Sequence, residues 1–144
     1  NLRNGEERFL NSEKKHNTAQ PEERYFYAYQ MLCHWLEALY LGHRAEEYFI
    51  DAGYFRIAVY GMGDIANRLL DDLNNSAVEV CYGIDRNAAG TVCKIGTIYA
   101  ADDELPEVDA VVVTPFYAFE EISKDLSRKI KCPVISIEEV IWSI

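Results

Sequence analysis

Apolar and polar positions follow two rhythms along this chain, a helical one at the front and a strand–helix alternation behind it. Over residues 22–41 the residues Tyr25, Ala28, Tyr29, Leu32, Trp35, Leu36, Leu39 and Tyr40 recur at steps of three and four, which predicts an amphipathic helix. Gln20-Pro21-Glu22-Glu23 suits its start, because proline fits a first helical turn and acids complement the dipole. Gly42 suits its end. A second short helix is predicted over 44–52, anchored by Tyr48 and Phe49 and stopped by Gly53. Before both, residues 1–20 are polar and charged, with Leu2, Phe9 and Leu10 as their apolar anchors, and read as a loose arm or a weakly packed helix.

After Tyr54 strands and helices alternate. Strands are predicted at 56–60, 78–84, 97–99 (weak), 110–114 and 134–137. Helices are predicted at 64–73, with Ile65, Leu69, Leu70 and Leu73 on the buried stripe, and at 117–130, with Phe119, Ile122, Leu126 and Ile130. Residues 86–91 read as a loop and 102–106 as a turn. A short terminal helix opens with Glu138 and Glu139. The unbroken Ala-Val-Val-Val run from Ala110 marks a parallel strand covered on both faces. The expectation is an α/β, Rossmann-like three-layer domain over 54–144. It has a parallel sheet of four or five strands in the order 3-2-1-4-5, preceded by an arm (1–20) and aromatic-rich helices (21–53). The order reverses between the first strand and the 110–114 strand, and ligands bind above such a point.

Gly61-Met62-Gly63-Asp64-Ile65-Ala66 sits at that point and follows G-x-G-x-x-G/A. Gly61 allows the sharp turn. Gly63 lets a diphosphate reach the backbone, and Ala66 lets the helix pack close to the strand. The free N–H groups and the positive end of the helix dipole make such a turn an anion site. Asp85, ending the second strand, can accept two hydrogen bonds from a ribose diol and repels a 2′-phosphate. This favours NAD-type or UDP-sugar-type ligands over NADP. Arg86 pulls the other way, because a guanidinium pairs with phosphate. Asp64 also opposes binding if its carboxylate occupies the anion position. Thr114, Pro115, Phe116 and Tyr117 end the 110–114 strand and should face the same crevice: Thr114 toward phosphate or ribose, Phe116 or Tyr117 against a ring. An ordinary strand end and helix start explains these four equally well.

Net charge −10 excludes a basic nucleic-acid face and an anionic-membrane dock. No apolar stretch approaches a membrane span. Cys33, Cys81, Cys93 and Cys132 form no C-x-x-C pair, and His16, His34 and His43 have no metal-like spacing, so neither a disulfide framework nor a metal is expected and a cytoplasmic setting is. The chain starts at Asn1, which suggests a piece cut from a larger protein. Catalytic sets are hard to find. There is no Tyr-x-x-x-Lys and no G-x-S-x-G, and acid–base work would fall to an aspartate, a tyrosine or Lys94.

The segments Ile-Ala-Val-Tyr-Gly-Met-Gly, Tyr-Gly-Ile-Asp-Arg, Val-Asp-Ala-Val-Val-Val-Thr and Pro-Val-Ile-Ser-Ile-Glu-Glu-Val resemble small Rossmann-like modules of bacterial cell-surface polysaccharide biosynthesis. Such modules occur beside glycosyltransferases or at the front of nucleoside-diphosphate-sugar epimerases and dehydratases. The resemblance covers about residues 54–144 and implies nucleotide contacts at Gly61, Gly63 and Asp85. It implies an accessory NAD or sugar-nucleotide binding module, not catalytic alone, linked to or associated with a glycosyltransferase or dehydratase. Two alternatives stand beside it: a minimal NAD-dependent sugar-nucleotide epimerase or oxidoreductase component, and an interaction domain with a vestigial site. The last would form a homodimer through the N-terminal helices, with Tyr25, Tyr29, Trp35 and Tyr40 on its surface. A methyltransferase is weaker, because Tyr60 stands where its acid belongs.

Overall fold

The computed structural model describes residues 21–90 and 95–144. The arm at 1–20, Cys93 and Lys94 lie outside the described residues. Five parallel strands form one sheet in the order β3-β2-β1-β4-β5: β1 (Arg56–Tyr60), β2 (Glu79–Ile84), β3 (Ile98–Tyr99), β4 (Ala110–Val113) and β5 (Val134–Ser136). The predicted order is therefore the observed one. The helices are α1 (Pro21–Tyr40), α2 (Glu46–Ala52), α3 (Asp64–Asp72), α4 (Phe119–Ser127) and α5 (Ile137–Trp142). Among the described residues, no helix is long and apolar enough to cross a membrane.

Each face of the sheet has its own apolar layer. Val59, Met62, Ala66, Leu69, Val112 and Ile137 pack on one side, together with Met31 and Trp35 of α1 and Phe49 of α2. Tyr60, Tyr82, Ile84, Val113, Ile122 and Leu126 pack on the other, beneath α4. All four residues of β4 have no exposed surface, as a strand covered from both sides requires. Burying each such side chain contributes roughly 1.5–3 kcal/mol. A one-residue bulge carries β2 past β1, with Ile57 opposite Val80 but Ala58 opposite Tyr82. It moves Val80 and Tyr82 to different layers, where regular alternation would place them on one.

The N-terminal helices share the core of the sheet. Asp72, at the end of α3, has a side chain only 1% exposed. It accepts from the Trp35 indole at 2.7 Å and from the Ala45 amide at 3.1 Å, ahead of α2. Arg44 approaches the same carboxylate at 3.5 Å. Trp35 is thus inside the protein, on the packed stripe of its helix, and is not part of the dimer surface that the interaction-domain alternative gave it.

The remaining departures are local. The predicted 117–130 helix begins with a 3₁₀ turn, Phe116–Ala118, and its α-helical part is shorter. The 86–91 loop contains a 3₁₀ turn, Ala88–Gly90. Gly53 closes α2 in the left-handed region at φ +77°, as a glycine stop does.

Candidate functional site

Gly61 follows β1 at the point where the strand order reverses. Its φ is +84°, a conformation that side chains strain to adopt. A Cβ there would sit 2.6 Å from Cδ of Pro115. Glycine is therefore required by two independent facts, backbone conformation and contact with Pro115, two residues past the end of β4. The turn is tied down on both sides. The Gly61 amide donates to the Ile84 carbonyl at 2.8 Å, and the Thr114 hydroxyl donates to the Tyr60 carbonyl at 3.1 Å and to the Gly61 carbonyl at 2.5 Å.

Thr114, Pro115 and Phe116 therefore build the floor of the crevice. Thr114 is 4% exposed with its hydroxyl engaged, Pro115 packs on Gly61, and Phe116 is 5% exposed within the core. Tyr117 is exposed instead, with the Arg24 guanidinium over its ring at 4.8 Å. Met62 also turns inward. Its side chain is buried, and a Cβ on Gly83 would meet its sulfur at 2.7 Å, so Gly83 makes the seat for Met62.

Past Met62 the turn opens. A Cβ on Gly63 would meet nothing within 4 Å. Gly63 is the N-cap of α3 and supplies no side-chain cap. The amides of Gly63, Asp64, Ile65 and Ala66 donate to no group among the described residues; Gly63 and Asp64 are exposed, whereas Ala66 has no exposed surface. Asp64 stands exposed in that first turn, and its carboxylate makes no hydrogen bond there.

Asp85 is half-buried at the end of β2 and is oriented by two amides. Met62 N–H donates to Oδ2 at 2.8 Å and Asn87 N–H to Oδ1 at 2.8 Å. Each oxygen keeps a second acceptor site. No protein-family model, curated protein or solved structure matches this chain.

Beside Asp85 and Gly61 lies a hollow of about 510 Å³, on the α4 side of the sheet. Its walls include Tyr60, Arg86, Ala100, Ala101, Ile122 and Asp125. Tyr60 directly precedes Gly61 and Arg86 directly follows Asp85, although Gly61 and Asp85 do not themselves line the hollow. The Tyr60 hydroxyl, with the carboxylates of Glu121 and Asp125, holds the Arg86 guanidinium in its charged form. At the far end Lys129 donates to the Ala101 carbonyl and pairs with Asp102 at 3.3 Å. Sequence reasoning missed this hollow, because Tyr60 read only as the last apolar residue of a strand. Its alternation with Ala58 was the available signal for which face it lines.

Proposed function

We propose that the chain binds a nucleotide across this crevice. The diphosphate lies over the free amides of the α3 first turn. The ribose diol bonds Asp85, and the base or second ring enters the hollow beside Tyr60 and Arg86. The observation that carries the reading is Asp85. Its carboxylate is oriented by Met62 N–H and Asn87 N–H beside the Gly61–Gly63 turn, where a Cβ on Gly63 would meet nothing within 4 Å, and both oxygens retain acceptor capacity. The volume of the hollow falls within the ordinary range of small-molecule pockets.

A carboxylate at this position favours a free 2′-hydroxyl, so NAD or a nucleotide sugar is the ligand class. The role is accessory binding in service of a larger cell-surface polysaccharide enzyme. That context rests on the sequence resemblance of the strand ends alone.

Calorimetric and thermal-shift titration with NAD, UDP-sugars and S-adenosylmethionine tests the reading. A bound ligand at ten times its Kd stabilises the fold by about 1.4 kcal/mol. Gly63→Val abolishes the shift and leaves the unliganded fold intact, because the added side chain points into open space. Retained binding in Gly63→Val, or no shift with any nucleotide, overturns it. Turnover of a UDP-sugar by this chain alone favours the epimerase or oxidoreductase alternative.

A further inference from the structure

Helix α1 carries two apolar faces, and only one is covered by the domain. Met31, Trp35 and Ala38 are buried against the core. On the opposite side Phe26, Tyr29, Cys33, Leu36 and Tyr40 recur at steps of three, four, three and four. This is the a/d spacing of a coiled-coil seam. Phe26 is 55% exposed, Tyr29 64%, Leu36 67% and Tyr40 89%, and Cys33 is exposed between them.

We propose that this seam pairs with the same seam of a second copy, antiparallel, with the two-fold axis between Cys33 and Leu36. Three observations select a second copy over other partners. First, the seam matches itself. In this register Tyr29 lies beside Tyr40 of the partner subunit and Cys33 beside Leu36 of the partner subunit, filling the central layers, while Phe26 lies beyond them toward the end of the partner helix. Second, the area suffices. With Tyr25 and Leu39 on its flank, the exposed side-chain surface is roughly 800 Å² per copy, allowing about 200 Å² for a whole aromatic side chain. A stable interface needs about 800 Å² per partner.

Third, charge permits one orientation. Glu37 is the single carboxylate flanking the central layers, and the antiparallel register sets it against Gln30 of the partner subunit. A parallel pair would stack Glu22 and Glu23 on their own copies in a chain of net charge −10. Antiparallel packing separates them and aligns the helix dipoles favourably. The seam shares no residue with the nucleotide crevice, so the two proposals stand or fall separately.

Sedimentation equilibrium of the full chain at 1–100 µM is expected to show a particle of two 16.5 kDa chains. Leu36→Arg weakens association at least a hundredfold while far-UV circular dichroism is unchanged, because Leu36 touches little of its own domain. Phe55→Arg, at an exposed apolar residue outside the seam, leaves the dimer intact. For orientation, chains bearing Tyr29→Cys and chains bearing Tyr40→Cys, both with Cys33→Ser, are mixed and oxidised. The crossed 29–40 disulfide is expected. A monomeric wild type, a dimer indifferent to Leu36→Arg, or preferential 29–29 and 40–40 disulfides overturns the proposal.

Discussion

The Trp35 indole donates to the Asp72 carboxylate at 2.7 Å, and through this bond the first helix is anchored to the end of the helix that follows β1. Asp72 lies almost wholly out of water yet serves three donors: an indole, the amide ahead of α2, and a guanidinium. Three segments, α1, the turn ahead of α2 and the end of α3, meet on one side chain.

Replacing Asp72 by alanine leaves the indole and the Ala45 amide without an acceptor. The expected cost is about 3–5 kcal/mol, the range for removing one partner of a buried charged cluster. Urea unfolding of Asp72→Ala measures it. A loss below about 1 kcal/mol means that α1 is held by its apolar contacts alone.

The two glycines of the turn should respond oppositely to alanine. Gly61→Ala places a Cβ 2.6 Å from the Pro115 ring on a backbone at φ +84°, and a loss of about 2–4 kcal/mol is expected. Gly63→Ala meets no neighbouring atom and has an ordinary negative φ, so it should change stability by less than about 1 kcal/mol. Parallel denaturation curves decide this without any ligand.

Under the proposed binding mode, Asp64 opposes the diphosphate. Its carboxylate is exposed beside the free amides at the start of α3. Asp64→Asn should tighten diphosphate binding by roughly three- to tenfold at low salt, with the gain shrinking as ionic strength rises. The same change should cost the fold only about 0.3–1 kcal/mol of helix-dipole stabilisation. Calorimetry at two salt concentrations reads the effect. Unchanged affinity at both removes the α3 first turn from the binding surface.

Tyr82 makes stability fall in alkali. Its hydroxyl donates to the Pro106 carbonyl at 2.6 Å. Burial, with Cys132, Cys81 and Tyr99 nearby, pushes its pKa up to about 12 from 10.0. The folded chain thus holds this proton more tightly than the unfolded one. The stabilisation is complete below pH 10 and is lost as pH rises toward 12. Burial and Glu139 push Tyr48 upward too, adding to the same slope. Tyr82→Phe should cost about 1 kcal/mol at neutral pH and flatten the decline above pH 10. Urea midpoints at stepped pH values check both.

Much of the fold was legible in residue order because its causes are local. Pro21 opens a helix, Gly53 ends one, and the Ala110–Val113 run has no polar position to turn toward water. The Asp85 position was legible for the same reason, as the first polar residue after a buried strand. Only the interaction-domain alternative put Trp35 on the surface, and spacing alone could not decide this, because it reports that a residue is apolar without reporting which of two apolar faces the domain covers. Thr114 and Phe116 were expected to line a ligand because they follow a strand at the right edge. Their burial depends on Gly61 and the opposing turn, contributed by β1 more than fifty residues earlier.

The chain's own pattern of apolar and turn-forming residues determined the elements, their parallel order and the position of the glycine turn, since these follow from backbone preference and burial within a few residues. Only the tertiary structure decided which amides at that turn stay free, that Asp85 is aimed by Met62 N–H, and that a hollow opens beside Tyr60. Those outcomes depend on which side chains arrive from distant segments to occupy the same space, and no local preference encodes that competition.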